Sequence, residues 1–573
     1  MNPFVYSGAS NLGEEQILEM FIHDYNYSRF ILSKRNVFIW GERGSGKTMT
    51  LLYNKIVMSQ KIRESIKNNT QVEFIPVYVS CITPLVFKRE HMLLDSEFKA
   101  SIVSEHYFAL SIALALVKSL IDIPEILEDI NQEELKTHLG YLFNDTLPTT
   151  NSALKSLQLF LQKEFIKTQR EINRADSDAF YGDTYSFTSL VTPIMDCFRG
   201  LQKLSSAHFV FMMDDAHDLN NYQVSSLNSW IAYRDNSYFS FKISAARIAD
   251  YKLTTTSGGA ILEGHDFVAI DMEQPYQNDD SSYGKLAERI VEKRLSLIGL
   301  DVTARDFFPA HPTMENDIEQ KRTEARLAAE KIYGEGEQKK INDYIYKYAR
   351  ANYFRDRPKK ANRPPYSGFE TIVHLSSGVV RNLLEPCYIM YEDAESRANS
   401  EGAFTQIDPA IQADVIHRLS DKYWNRLRLG LDREIADCTK AQSTKANNLL
   451  NALAELFRTR LFDPNCSEPR AIAFSISART EETMQEIMPI LDLCRRAQLL
   501  YKRTGSAKDR GEREDYYVPN RMLWPVRGLD PVGQHARVSI QASQILKAIN
   551  GGSIQYRPDN NIGQDAQGDM FDE

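Results

Sequence analysis

The stretch GERGSGKT, Gly41 to Thr48, has the residue types and spacing of a phosphate-binding loop. It fits G-x-x-x-x-G-K-[ST] through Gly41, Gly46, Lys47 and Thr48; Glu42, Arg43, Gly44 and Ser45 fill the loop and Met49 follows it. Glycines permit turns that a Cβ forbids, so the loop's N–H groups can converge on phosphate oxygens at a helix N-terminus, whose dipole favours anions. Lys47 would reach the β- and γ-phosphates, and the Thr48 hydroxyl would ligate Mg²⁺. A second support for the metal should be an acid at the tip of another parallel strand, expected beside the first. FVFMMDD supplies two, Asp214 and Asp215, more than 160 residues downstream. Asp214 is assigned to Mg²⁺ through water and Asp215 to orienting or activating the attacking water; the competing reading is a helix N-cap.

These groups act together only if strands and helices bring them together. VFIW, just before the loop, is a short apolar run of the kind that forms a buried parallel strand, and helical periodicity runs from Lys47 to about Ile66. Further strands are read at Val72–Cys81, from His208, at Phe239–Ile248 and at Asp266–Met272, with a helical insertion over about 90–204. Strands alternating with helices predict an α/β core with a parallel sheet over residues 1–275. Residues 276–404 read as helical, with a solvated, charged insertion at about 310–366. Over 405–550, helices near 409–428, 443–462 and 481–498, a strand at Ala471–Ala478 and two strands flanking TGSAKDRGERE predict a winged helix. The tail 551–573 lacks apolar periodicity and reads as disordered.

Composition narrows the classes. A net charge of −9 gives no global attraction to nucleic acid, so any DNA contact needs a local basic patch. Arg495, Arg496, Lys502, Arg503, Lys508, Arg510 and Arg513 supply one on the wing, interleaved with acids; the alternative is a solvated hairpin of mixed charge. Arg355, Arg357, Lys359, Lys360 and Arg363 form a second basic set, read either as a patch or as a loop. The six cysteines are scattered without a CxxC pair, which predicts reduced core thiols and no metal cluster. The N-terminus has no secretory signal pattern, and the apolar run Tyr107–Val117 is too short to span a bilayer, so a cytoplasmic protein is expected. His217, just after the acids, reads as a surface helix histidine, the alternative being a contact to a partner or the nucleotide. Without an N-K-x-D motif a GTPase is disfavoured, and without an LSGGQ-like stretch so is an ABC-type ATPase.

The loop, DDAHDL after its strand, the further strand FKISAAR and SSGVVRNLLE together resemble AAA+ ATPases of the origin-recognition (ORC/Cdc-type) group, in particular its bacterial members. In outline the chain is also similar to STAND and TnsC-like P-loop ATPases. The resemblance implies a P-loop AAA+ parallel-sheet core, a helical lid and a C-terminal winged-helix domain. It implies ATP and Mg²⁺ as ligands, a homo-oligomer, and slow or partner-stimulated hydrolysis, since Asp215 stands where the family commonly has Glu. By position, Ser244 would be a polar sensor of the γ-phosphate or water, or else a plain strand-end serine. Arg381 would be the lid arginine that grips the γ-phosphate, or else a surface helix arginine. Arg247 is a candidate arginine finger. The resulting expectation is an ATP-driven switch that engages DNA or an effector protein encoded nearby, in antiphage defence or mobile-element biology. The alternatives are a DNA-binding initiator or transposition-type loader, and a scaffold whose ATP is structural.

Overall fold

The computed structural model of the chain describes residues 2–5, 8–23, 27–81, 96–143, 147–148, 150–173, 183–233, 238–246, 251–272, 282–357, 363–397, 404–506, 513–533 and 537–556. Two compact units make up the chain: Ser7–Gln274, and Pro275–Glu573 together with Met1–Tyr6.

In the unit Ser7–Gln274, β1 (Val37–Trp40) leads through the glycine-rich loop into α1 (Lys47–Lys67). Then follow β2 (Phe74–Ser80), a helical insertion that includes α2 (Glu97–Ile121) and α3 (Ala153–Ile172), β3 (His208–Asp214), α4 (Asn221–Ile231), β4 (Phe239–Ala245) and β5 (Val268–Asp271). The strands form one all-parallel sheet in the order β2-β3-β4-β1-β5. Every residue of β1, β3 and β4 is buried, because helices cover both faces of the sheet. Val37, Ile39, Val210 and Met212 pack with Leu51 and Met58 of α1 on one face. Phe38, Trp40, Phe211 and Phe241 pack with α2 and α4 on the other, where Trp230 lies 5.1 Å from Phe108 and 6.3 Å from Phe241, ring centre to ring centre. Each such side chain contributes about 1.5–3 kcal/mol by leaving water. The helix α2 is longer than its apolar run suggests, and long and apolar enough to cross a membrane by length alone. Its most apolar 18-residue window is 72% buried inside the protein, so core packing accounts for its hydropathy.

The sheet order corrects one expectation. The acid-bearing strand β3 is not the neighbour of β1; β4 lies between them. Two strand spacings separate their tips, roughly 9–10 Å. That gap leaves room for a phosphate and its metal between loop and acids, with the end of β4 in the middle.

In the second unit, α5 (Ser282–Ser296) is followed by α6 (Pro312–Tyr333), α7 (Gln338–Asp356), α8 (Phe369–Leu375), α9 (Val380–Arg397), α10 (Pro409–Leu429) and α11 (Lys440–Phe462). One continuous apolar core runs from Phe4 to Ile554. Phe4 sits among Phe307, Phe308 and Tyr391, and Arg294 donates hydrogen bonds to the carbonyls of Pro3 and Val5. The first residues are therefore packed here and not in the α/β core to which the sequence boundary assigns them. The 310–366 segment is less solvated than its charge suggests: Met314, Ile318, Tyr353 and Phe354 join the core, and Arg350 holds the buried Asp530 with two hydrogen bonds, 2.9 and 2.8 Å.

The C-terminal part contains β6 (Ala473–Ser477), α12 (Glu481–Arg496), β7 (Leu500–Ser506), β8 (Arg513–Pro519), β9 (Arg537–Gln541) and α13 (Ala542–Ile549). β7 and β8 form an antiparallel hairpin after α12, and β6 pairs with β8, which is the arrangement of a winged helix. β9, unassigned in the sequence reading, adds a parallel edge to β6.

Candidate nucleotide site

The loop turns at Gly46, whose φ of 101° is a left-handed conformation at the start of α1 that a residue with a Cβ adopts only with strain. Gly41 is needed for a different reason: a Cβ there would lie 2.6 Å from Ser45 Oγ. Arg43 is exposed at the loop tip; Thr48 and Met49 are half-buried in the first helical turn. Lys47 is buried, and its ammonium donates to the carbonyls of Gly41, 2.8 Å, and Glu42, 3.0 Å. Burial lowers its pKa, opposed first by the charge of Asp215 and then by that of Asp214. Both acids thus lie within electrostatic reach of the loop lysine.

β3 presents Asp214 at its buried tip. The Tyr78 hydroxyl donates to Asp214 Oδ2 at 2.8 Å, and the Ser244 hydroxyl donates to Oδ1. Ser244 Oγ in turn accepts the N–H of Asp215 at 2.9 Å. Ser244 Oγ thus joins the two acids. Its proton and a lone pair hold the two acids in place from the end of β4, the strand that separates β3 from β1.

Asp215 has φ 56°, a left-handed conformation that Asp tolerates better than most residues. Burial and then the Asp214 charge raise its pKa above the usual carboxylate value, with His217 and Lys47 pulling the other way. His217 is not a surface helix histidine. It sits in the short turn Ala216–Asp218 after the acids, mostly covered, and its Nδ1 accepts the N–H of Ala246 at 3.3 Å. Accepting at Nδ1 puts the proton on Nε2, and burial keeps the ring neutral by lowering its pKa.

Sequence reasoning passed over Tyr78. Its signal was a lone phenol in the mostly apolar run FIPVYVS, but only the pairing of Ser80 with Asp214 shows what it faces. Burial and the Asp214 charge hold its pKa well above the ordinary value, so it remains a donor.

The residues present fit Mg²⁺. Thr48 and Asp214 are hard oxygen donors, and Mg²⁺ takes few protein ligands, completing its shell with water and phosphate. Tyr78 and Ser244 occupy two of the roughly four lone-pair directions of the Asp214 carboxylate, leaving others for a metal-bound water. Among the described residues no group of three His, Cys, Asp or Glu side chains is placed to hold a metal.

In the second unit, Arg381 lies half-buried in the first turn of α9 and makes no hydrogen bond or ion pair among the described residues. The preceding Ser377–Gly378 turn, with φ of 55° and 80°, is fastened to the wing. Asn382 donates to Tyr501 Oη at 2.8 Å, the N–H of Arg521 to Ser377 Oγ at 3.0 Å, and the Arg503 guanidinium to the Ser377 carbonyl at 3.3 Å.

This corrects the proposed DNA-gripping set. Arg503 is buried in that junction, and Arg495 is buried and paired with Asp492 at 3.1 Å. Lys502 pairs with Asp515 at 2.7 Å, and of the four only Arg496 is exposed. Three of the charges read as a patch from sequence, Arg495, Lys502 and Arg503, serve as internal ties, and Arg503 does so because the hairpin folds back on α8–α9. Reversing Arg503 to Glu should lower the melting temperature by roughly several degrees, since it buries an unpaired charge. Arg496→Glu should leave melting unchanged; equal melting curves for both would contradict the assignment. In the other basic set, Arg355 donates to the carbonyls of Leu461 and Asp463, Arg357 to Tyr353 Oη and Arg363 to Asp421. Lys359, Lys360, Lys508, Arg510 and the finger candidate Arg247 lie outside the described residues, as does the side chain of Arg513.

A family model described as ORC-CDC6-like matches residues 2–330 and 311–540. No curated protein is significantly similar in sequence. Among solved structures, the chain is similar to the Orc1 protein of Aeropyrum pernix, solved in complex with DNA, at 10% identity over 95% of this chain and 96% of that one, with a TM-score of 0.31. It is also similar to Cdc6p of Pyrobaculum aerophilum, at 12% identity over 95% and 97%, with a TM-score of 0.28. The extent of the family match, together with a phosphate loop and an acidic strand tip in one α/β sheet, makes this chain a member of the ORC-CDC6-like family of AAA+ ATPases.

Proposed function

We propose that the protein binds and hydrolyses ATP·Mg²⁺ and uses the nucleotide state as a switch for self-assembly and for engaging DNA or a partner protein. The observation that carries this reading is that one parallel sheet brings the glycine-rich loop after β1 and the acids Asp214 and Asp215 at the end of β3 to the same edge, in a family whose members generally bind ATP with Mg²⁺ and hydrolyse it. Backbone N–H groups of Gly41–Thr48 and the Lys47 side chain hold the phosphates, while Thr48 and Asp214 hold the metal, which supplies charge neutralisation at the transferring phosphoryl group. Asp215 orients or deprotonates the attacking water. Equilibrium binding of a fluorescent ATP analogue, with Mg²⁺-dependent phosphate release, tests the reading; purified protein that binds no adenine nucleotide would end it.

Residues 276–404 act in this scheme as the lid and 405–550 as the winged helix, with Arg381 as the lid's γ-phosphate contact. The coupling is supported by the ties from Ser377 and Asn382 to Tyr501, Arg503 and Arg521, since a displaced α9 carries the hairpin with it. Arg381→Ala should leave nucleotide affinity within about threefold, less than 1 kcal/mol, yet abolish ATP-dependent assembly in mass photometry. Normal assembly of that variant would remove Arg381 from the switch.

Family membership supports DNA as a target. A steep salt dependence of binding to duplex DNA would favour the loader form of the switch, and turnover triggered only by a protein would favour an effector partner. Nucleotide retained through purification without turnover would favour a structural role for ATP. The resemblance to bacterial members supports a cytoplasmic setting in antiphage defence or mobile-element biology, which the genes flanking this one would test.

A further inference from the structure

We infer that Tyr78 is a positioning residue for the metal: its hydroxyl, with that of Ser244, fixes the Asp214 carboxylate in the orientation that receives the Mg²⁺-bound water. This inference rests on the proposed ATP·Mg²⁺ site and deepens it.

β2 and β3 pair in parallel with Ser80 opposite Asp214 and Tyr78 opposite Met212. A strand's period of two puts Tyr78 and Ser80 on one face, with Met212 and Asp214 beside them. Tyr78 therefore stands one diagonal step from Asp214, on the face where Leu51 and Met58 of α1 pack and where the phosphate loop begins. A phenol spans that diagonal, and the observed contact is 2.8 Å. An aliphatic residue such as the neighbouring Val77 and Val79 would complete the packing and leave Oδ2 without this donor.

The two donors differ in what else they do. Ser244 also accepts the Asp215 N–H, so removing its hydroxyl disturbs both acids. Among the described residues the Tyr78 hydroxyl makes one hydrogen bond, and it goes to Asp214. With one donor on each oxygen, the carboxylate plane is set before any ligand arrives. Without Tyr78 the group can rotate about its terminal torsion, and part of the metal's binding free energy goes into reordering it.

Tyr78→Phe keeps the ring and deletes only the hydroxyl. Outer-shell partners of metal ligands typically contribute 10–100-fold in metal affinity. The Mg²⁺ concentration for half-maximal tightening of a fluorescent ATP analogue should therefore rise about tenfold. Affinity for the same analogue in EDTA, and the melting temperature without nucleotide, should match the parent. Asp214→Asn serves as the reference for a lost metal ligand. A Mg²⁺ midpoint within about twofold of the parent, while Asp214→Asn shifts it, would overturn the inference and leave the nucleotide reading intact. Equal loss of binding with and without Mg²⁺ would also overturn it, by showing that Tyr78 only supports the fold. A parent protein that binds no nucleotide, or binds it without regard to Mg²⁺, would instead defeat the nucleotide–metal reading itself.

Discussion

Lys47→Ala should abolish adenine-nucleotide binding. The Lys47 ammonium now caps the Gly41 and Glu42 carbonyls and faces two carboxylates, a geometry that holds a cation in place for an incoming triphosphate. When phosphate arrives, these contacts are exchanged for charged hydrogen bonds to two phosphate groups, each contributing about 1.5–3 kcal/mol. Losing both amounts to at least ~3 kcal/mol, or more than about 100-fold in affinity at 1.4 kcal/mol per factor of ten. The alanine also removes one positive charge from beside the phosphates and the two acids, so the loss exceeds that of the hydrogen bonds alone. Thermal melting gives a clean measurement. Nucleotide at a hundred times its dissociation constant should stabilise the parent by about 2.7 kcal/mol and the variant not at all. Lys47→Met, which keeps the buried stem, separates loss of ligand from loss of packing. A nucleotide-dependent rise in melting temperature equal to the parent's in both variants would refute the role of the loop.

Asp215→Asn should retain ATP and lose turnover by at least about 100-fold, the lower end of what a general base contributes. Asparagine is the informative replacement because it, too, tolerates the left-handed backbone seen at φ 56°. Alanine would add strain of about 1 kcal/mol or more and confuse the comparison. The substitution leaves untouched the backbone N–H of residue 215 that donates to Ser244 Oγ, so Asp214 should stay in place and metal-dependent binding should persist. The pH profile gives a second test. Asp215 works ionised, so activity is present above its pKa and is lost as pH falls through it. Burial and the Asp214 charge raise that pKa, which moves the acid limb of the turnover profile above the value near 4 ordinary for Asp. Residual activity in the asparagine variant should lack this limb. Unchanged turnover, or simultaneous loss of nucleotide binding, would show that Asp215 is not the group acting on water.

Much of the α/β core was legible in the chain itself. β1 and the body of β3 are continuous apolar runs because both faces of the sheet are covered, and such runs stand out wherever they occur. The loop was legible because phosphate chemistry requires glycine, lysine and a hydroxyl at fixed intervals of one contiguous segment. The acids were legible because a buried strand has reason to end in two carboxylates only where something cationic awaits them. Fixed local spacing and one-dimensional hydrophobic pattern are properties of sequence, and they determined the fold class and the two halves of the site.

Other features depend on register and burial, which arise only when distant segments pair. Strand order is one: nothing in FSFKISA says that it lies between the loop strand and the acid strand, yet that position is what lets Ser244 brace Asp214 and Asp215. Tyr78 meets Asp214 across 136 positions of sequence because Ser80 pairs with Asp214 and not with a residue one step away, a shift that would turn the phenol to the other face. Arg495 and Arg503 read as a surface patch because charge is visible in sequence and burial is not; the fold placed both inside, where Asp492 and the Ser377 carbonyl receive them. The chain specified which chemical groups the site owns, and tertiary pairing decided what each of them touches, because a side chain's partner is set by the energy of packing whole elements together and not by its own neighbours in the chain.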